Sequence, residues 1–246
     1  LRSREMTSLV EEATALAQNG VKELVLVAQD TTLYGQDLYG ESCLPRLLTE
    51  LCKIEDLKWI RLLYCYPDRI TDGLIEEIAN NPKVVKYIDM PIQHINDDIL
   101  KRMNRRSNKA QIMEVIQKLR SRVPGIILRS TVIVGFPGET EADFEELCEF
   151  VKETKFERLG VFPYSREEDT PAYDFEDQVE EQLKQDRADL LMRLQMEINE
   201  PDMPGMEEHY ITESEQLKTI MKQCRQNIFE DSVNVYFAKN FISLIG

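Results

Sequence analysis

Polar residues follow nearly every apolar run of the sequence, and their types suit the binding of a small molecule. Gln29-Asp30, Tyr66-Pro67-Asp68, Gln93-His94, residues 135–139 and Tyr164-Ser165 each come directly after such a run. Their amide, carboxylate, hydroxyl and imidazole groups can hydrogen-bond a ligand that carries hydroxyl, amino or carboxylate groups. Loops after strands are often polar in any protein, so the pattern favours a binding function without defining the ligand.

The clearest structural unit that could position these groups is residues 126–151. Residues 126–136 are largely apolar and β-branched, which predicts a parallel strand buried on both faces. Gly135 removes a side chain near its end, Pro137 turns the chain, and Thr140 with Asp143 gives the signature of a helix start. Such a strand end beside free helix N–H groups could admit a carboxylate or hydroxyl ligand, although the same residues would also serve a tight connection alone.

Apolar runs and helical patterns alternate along the rest of the chain. Strands are predicted at residues 21–28, 59–65, 84–92, 126–136 and 158–163. Helices are predicted between them, and a long charged helix over residues 179–199 follows the last strand. The alternation predicts βα units and a parallel sheet. An open doubly wound sheet and a complete or partial barrel both fit, and in either the ligand belongs at the C-terminal ends of the strands.

Composition limits the class of protein. With 246 residues, 42% of them hydrophobic, the chain can bury the core of one large domain or of a domain with an appendage. A net charge of −15 disfavours general nucleic-acid binding, because the surface repels phosphate backbones. No apolar run approaches the roughly 18 residues of a membrane span, and the first residues do not resemble a signal peptide. A cytoplasmic protein is therefore expected.

The cysteines and histidines predict no metal site in this chain. The five cysteines are odd in number and widely spaced, without a CxxC pair: Cys43, Cys52, Cys65, Cys148 and Cys224. This spacing predicts reduced thiols and argues against a disulfide framework or a zinc site. His94 and His209 have no neighbouring ligand at metal spacing. Because Asp97 and Asp98 follow it, His94 fits a helix cap as well as a ligand contact.

Five segments carry a resemblance to a known family. They are Ser3-Arg4-Glu5-Met6, AQDTTLYGQDLYG at 28–40, YIDMPIQHINDDILKRMNR at 87–105, RSTVIVGFPGETEADFEEL at 129–147 and GVFPYSREEDTPA at 160–172. They resemble the radical S-adenosylmethionine methylthiotransferases, and within them the RimO type that modifies a ribosomal protein. The tRNA-modifying branch of the family usually has other residues at Gln29-Asp30-Thr31-Thr32 and at Gln93-His94, so both places favour the RimO type. Asp169 stands where relatives often carry glycine, which leaves the shape of that loop open.

The resemblance implies a partial (β/α) TIM-type barrel over residues 1–199, followed by an appendage over residues 200–246 with a helix and a candidate strand at 233–237. In such a barrel a 4Fe–4S cluster cleaves S-adenosylmethionine to a radical, which takes a hydrogen from the β-carbon of a target aspartate. Sulfur from a second cluster is then inserted and methylated. The family's CxxxCxxC loop and first barrel strand precede Arg2 and are absent here, so the likeness is to the central barrel region and this chain alone is expected to be inactive.

Nine residues are carried over from the family as the lining of the cofactor and substrate mouth. They are Gln29, Gln93, His94, Arg129, Thr131, Gly135, Pro137, Glu139 and Tyr164. The resemblance identifies no catalytic residue. The expected partners are a ribosomal protein substrate and an electron donor, with no membrane and with nucleic acid only indirectly, through the ribosome.

Two other functions remain open on the sequence. The chain could be a non-enzymatic binding or scaffold domain that keeps the fold, or part of a tRNA-modifying methylthiotransferase. An unrelated hydrolase or reductase is disfavoured, because neither G-x-S-x-G nor G-x-G-x-x-G occurs.

The absence of the first barrel strand predicts one further feature. Residues 21–28 would become an edge strand with unpaired N–H and C=O groups along a hydrophobic run, which proteins rarely leave exposed. Residues 233–237 are one candidate to cover this edge, because Val233, Val235 and Phe237 alternate with other side chains. A partner chain or the opening helix are the alternatives.

Overall fold

The computed structural model describes residues 2–199 and 241–244. The helices within these residues are α1 (Met6–Gln18), α2 (Gln36–Tyr39), α3 (Leu44–Leu51), α4 (Asp72–Asn80), α5 (Asp97–Arg102), α6 (Lys109–Arg122), α7 (Glu141–Thr154) and α8 (Glu181–Asn199). The strands are β1 (Glu23–Val27), β2 (Trp59–Leu62), β3 (Tyr87–Asp89), β4 (Ile127–Val134), β5 (Arg158–Pro163) and β6 (Phe241–Ser243). None of the described helices has both the length and the apolar character needed to cross a bilayer.

All strand pairings among the described residues are parallel. The strands pair in the orders β6-β1-β2 and β3-β4-β5. A parallel bridge between Ile60 and Val84 joins the two groups, and the Cys65 N–H donates to the Asp89 carbonyl across 2.8 Å. The order is therefore β6-β1-β2-β3-β4-β5, with helices in the connections. This arrangement confirms the predicted α/β partial barrel.

The faces of β4 differ from the prediction. Its residues alternate between buried and partly exposed, with Leu128, Ser130, Val132 and Val134 buried. The buried face belongs to the main hydrophobic core, which also contains Leu119 of α6 and Leu147 of α7. Arg129, Thr131 and Ile133 point to the opposite, concave face. The prediction that this strand is buried on both faces was therefore wrong, because the described residues leave its concave face partly exposed.

The start of α7 confirms the sequence signal. The Thr140 hydroxyl accepts a hydrogen bond from the Asp143 N–H, and the Asp143 carboxylate accepts one from the Thr140 N–H. This capping box satisfies N–H groups that a helix leaves unpaired at its first turn. The loop predicted after residue 28 contains the short helix α2, which lies between Gly35 and Gly40 in left-handed conformations.

The chain's last described residues cover the edge of β1. Val25 pairs with Phe241 and Val27 with Ser243, and the Leu244 N–H donates to the Val27 carbonyl across 3.0 Å. The edge is thus covered, as expected, and of the three candidates it is a segment of the C-terminal tail that pairs with it. The paired segment is residues 241–243, whereas the candidate strand at residues 233–237 lies outside the described residues. The division into residues 1–199 and 200–246 stays a prediction.

Candidate functional site

The C-terminal ends of the strands border an open cavity of about 660 Å³. This strand-end cavity is lined by Val27, Ala28, Gln29, Tyr64, Tyr66, Pro91, Gln93, Thr131 and Ser243. These residues come from β1, β4, β6 and the connections after β1, β2 and β3. The volume lies in the range of small-molecule sites.

Gln93 has the most constrained position in this cavity. Its φ of 72° is left-handed, which is uncommon for a residue other than glycine. Two backbone hydrogen bonds to β4 hold it there: its N–H donates to the Thr131 carbonyl across 2.9 Å, and its carbonyl accepts from the Ile133 N–H across 2.8 Å. The Oε1 atom of Gln93 is buried and has no hydrogen-bond partner among the described residues. Such an orphaned acceptor suits a ligand that donates a hydrogen bond.

Charged residues pair across the concave face below the cavity. Arg129 forms an ion pair of 2.7 Å with Asp89, whose other oxygen accepts from the Tyr64 N–H across 3.1 Å. Burial lowers the pKa of Arg129, but the charge and hydrogen bond of Asp89, together with Tyr87 and Tyr64, outweigh burial and raise that pKa above its usual value. Next to this pair, Arg61 binds Glu23 across 2.6 Å. The concave face is therefore polar and internally neutralised.

A buried ionic network lies behind the strand ends. The Glu139 carboxylate accepts from the Gly135 N–H and from Arg187 of α8, each across 2.8 Å. His94 is fully buried, and its Nε2 lies 3.5 Å from the same carboxylate. Because His94 Nδ1 accepts from the Asn96 N–H, we infer that the neutral ring carries its proton on Nε2, facing Glu139. This network ties the ends of β3 and β4 to α8.

Gly135, Pro137 and Tyr164 are also buried behind the strand ends. Gly135 has a φ of 70°, and a Cβ atom there would lie 2.3 Å from Lys184 Cγ. The close approach of α8 therefore requires glycine at this position. The Tyr164 ring packs edge-on against Phe136, with 5.0 Å between ring centroids, and its hydroxyl has no partner among the described residues.

The structure brings three of the nine predicted mouth residues together in the strand-end cavity, namely Gln29, Gln93 and Thr131. Arg129 lies on the same face of β4 as Thr131. The other five are buried without lining the cavity: His94, Gly135, Pro137, Glu139 and Tyr164.

Six lining residues were absent from the predicted set: Val27, Ala28, Tyr64, Tyr66, Pro91 and Ser243. The sequence did mark Tyr66, which follows an apolar run, but the family resemblance did not carry it into the predicted set. No local signal marks Ser243, which reaches the cavity only through the pairing of β6 with β1.

The cysteines of the described residues are free thiols. Burial raises the pKa of Cys148 to about 11 and raises that of Cys65 further. A cysteine binds a metal ion or cluster as its thiolate, and burial in apolar surroundings opposes that form. Within residues 2–199 and 241–244, no group of three or more His, Cys, Asp or Glu side chains is arranged to hold a metal ion.

A family model described as the Radical SAM superfamily matches residues 1–151. The chain therefore belongs to the radical SAM superfamily. It is 57% identical over 198 residues to the ribosomal protein uS12 methylthiotransferase RimO of Caldanaerobacter subterraneus, covering 80% of this chain and 45% of that protein. It is 55% identical over 197 residues to the RimO of Clostridium tetani, covering 80% of this chain and 44% of that protein. The chain thus spans less than half the length of these relatives.

Solved structures agree on the fold. Coproporphyrinogen III oxidase (HemN) from Escherichia coli, a radical SAM enzyme, superposes with a TM-score of 0.57 at 16% identity, over 78% of this chain and 46% of that one. The radical S-adenosylmethionine methyltransferase TsrM from Kitasatospora setae, with cobalamin and a [4Fe-4S] cluster bound, gives 0.52 at 17% identity, over 65% of this chain and 31% of that one. At such low identity the likeness concerns the fold alone.

Radical SAM proteins use S-adenosylmethionine and a 4Fe–4S cluster, and the described residues fit these two groups differently. The strand-end cavity fits the first, because it combines sufficient volume with the orphaned Gln93 oxygen and the Thr131 side chain. The described cysteines do not fit the second: Cys52 directly follows α3, Cys148 lies on α7 and Cys65 is buried beside β3. They do not converge, so no cluster-dependent step is assigned to them.

Proposed function

We propose that this chain forms the S-adenosylmethionine-binding barrel of a methylthiotransferase that attaches a methylthio group to the β-carbon of an aspartate in ribosomal protein uS12. The observation that carries the proposal is the strand-end cavity with its orphaned Gln93 amide oxygen. The substrate is inferred from relatives at 55–57% identity that are named for this reaction. When bound, S-adenosylmethionine supplies the methyl group and the radical chemistry of the family.

In this proposal the predicted site residues have two roles. Gln29, Gln93 and Thr131 bind S-adenosylmethionine, and the Arg129–Asp89 ion pair keeps the concave face below it polar. The five buried residues act as positioning residues. Among them, Glu139 accepts a hydrogen bond from the Gly135 N–H at the end of β4 and lies next to His94, the residue after Gln93. These contacts fix the Gln93 amide before the ligand arrives. Such preorganisation lowers the entropic cost of binding.

The proposed partners follow from the proposed reaction. The protein substrate is uS12, an electron donor is required for reductive cleavage, and ribosomal RNA is met only through the ribosome. A protein that modifies a ribosomal protein works in the cytoplasm. The net charge of −15 supports recognition of a protein surface over general RNA binding.

Ligand-observed NMR on the purified chain tests the proposal. We expect S-adenosylmethionine to bind weakly and reversibly, and Gln93→Leu and Thr131→Val each to reduce its affinity about tenfold, which corresponds to the loss of one hydrogen bond to a polar ligand. Gln117→Leu, on the exposed face of α6, is the matched control and should leave binding unchanged. No detectable binding, or equal binding by all three variants, would refute the cofactor site and favour a scaffold domain.

A further inference from the structure

A second, smaller cavity of about 300 Å³ adjoins the strand-end cavity. The two share Gln29 and Tyr66 as lining residues. The smaller one, called the arginine cavity here, is also lined by Arg69, Arg105 and Arg106. Three arginines at one strand-end site are notable in a chain with an excess of acidic residues.

The backbone after α5 places Arg105 in this cavity. Asn104 has a left-handed φ of 56°, and the Arg105 N–H donates to the Leu100 carbonyl across 2.8 Å, which turns the chain back at the helix end. The Arg105 guanidinium then donates to the Pro91 carbonyl across 2.7 Å and lies 4.3 Å from the centroid of the Tyr66 ring. These two contacts fix the plane of the guanidinium and leave other N–H donors for a ligand, since arginine carries five.

The charges of the arginine cavity do not cancel. Arg69 lies 3.3 Å from Asp30 and 3.6 Å from Asp68, so it neutralises carboxylates of the same cavity. Arg105 and Arg106 have no carboxylate within ion-pair distance among the described residues. Three arginines against two aspartates leave one net positive charge, which matches a ligand with a single negative charge. A doubly charged phosphate would meet the two aspartates without full compensation.

We propose that the arginine cavity binds the side-chain carboxylate of an aspartate in a protein substrate, and that Arg105 and Arg106 donate the hydrogen bonds to this carboxylate. This inference rests on the proposed function and deepens it. The fork of a guanidinium matches a carboxylate through two parallel hydrogen bonds, and a volume of about 300 Å³ accommodates one side chain with its backbone. The wall shared through Gln29 and Tyr66 places the bound residue next to the strand-end cavity.

The test measures binding of N-acetyl-aspartate N-methylamide to the full chain by ligand-observed NMR at low ionic strength. The asparagine analogue and inorganic phosphate are titrated in parallel, and S-adenosylmethionine is titrated separately. Arg106→Gln removes an exposed charge that makes no described hydrogen bond, and Arg105→Lys keeps charge while removing the fork. Arg193→Gln, an exposed arginine of α8 outside both cavities, is the matched control.

We expect the aspartate ligand to bind at least tenfold more tightly than the asparagine ligand. The Arg106→Gln and Arg105→Lys variants should each bind the aspartate ligand at least tenfold more weakly than the parent chain, and the affinity of the control variant should be unchanged. Equal binding of the two amino-acid ligands, or tighter binding of phosphate, would overturn the inference. S-adenosylmethionine affinity separates the two proposals. If the chain binds S-adenosylmethionine and not the aspartate ligand, only this inference fails; if it does not bind S-adenosylmethionine, the proposed function itself fails.

Discussion

Gly135 shows at the scale of one residue how the strand end depends on α8. An added Cβ would lie 2.3 Å from Lys184 Cγ and 2.9 Å from its Cβ, and the φ of 70° strains any side chain. We expect Gly135→Ala to lower the free energy of unfolding by about 1 kcal/mol through backbone strain and by about 1–3 kcal/mol more through overpacking. Urea denaturation followed by circular dichroism measures the loss.

Gly20 provides the control for that experiment. Its φ is 95°, but no atom lies within 4 Å of a Cβ built there. Gly20→Ala should therefore cost only the strain, about 1 kcal/mol. Equal losses for the two variants would mean that α8 does not approach Gly135 as closely as described.

Glu139 and Arg187 form a buried ion pair whose partners depend on each other. Their side chains are 0% and 5% exposed. We expect Arg187→Met to reduce the free energy of unfolding by about 3–5 kcal/mol, because it leaves a buried carboxylate without its cation. Adding Glu139→Gln to that variant should restore part of the loss. Thermal unfolding of the single and double variants checks this.

Arg193→Met is the matched control for the buried pair, because Arg193 is exposed on the same helix. Its effect should stay within about 0.5 kcal/mol. A double variant as unstable as Arg187→Met alone would indicate that the unpaired carboxylate is not the cause.

At the scale of an element, β6 protects the edge of β1. Ile242 is 1% exposed and belongs to the main core. Ile242→Asp would place a charge at this buried position, which is unfavourable. We therefore expect it to release β6 and to lower the free energy of unfolding by at least about 3 kcal/mol. Hydrogen exchange should then show lost protection at Leu24 to Val27 and retained protection in β4.

Ile242→Val keeps an apolar side chain at the same place and should cost only about 0.5–1.5 kcal/mol, with β1 still protected. If β1 stays protected in Ile242→Asp as well, another part of the chain covers that edge.

For the whole molecule, the described thiols predict the outcome of cluster reconstitution. Cys65 and Cys148 are buried, and their raised pKa values disfavour the thiolates that bind iron. We expect the chain, incubated anaerobically with iron and sulfide, to retain no stoichiometric 4Fe–4S cluster. Electron paramagnetic resonance after reduction, together with iron analysis, measures this.

A variant with both Cys65→Ala and Cys148→Ala tests whether these two thiols bind iron. It should contain the same background iron as the parent chain. A stoichiometric cluster signal in the parent that disappears in the variant would show that these buried thiols do bind iron.

The order of elements was predictable from the sequence because its signals are local. Apolar runs, the Thr140–Asp143 capping box and the motif segments at residues 87–105 and 129–147 each lie within one stretch of chain, where periodicity and turn chemistry act. These signals predicted parallel βα units, and the resemblance predicted the partial barrel. The resemblance also predicted a position that favours glycine at Asp169, whose φ of 64° is left-handed.

Only the tertiary structure decided which of these residues meet. Hydrophobicity alone predicted β4 to be buried on both faces, whereas its concave face is partly exposed among the described residues. Glu139 pairs with Arg187, 48 positions later, and Ser243 reaches the strand-end cavity through β6. The division of the predicted mouth into cavity-lining Gln29, Gln93 and Thr131 and five buried residues has the same origin. Contacts between distant segments depend on how helices pack on the sheet, and local sequence patterns do not encode that packing.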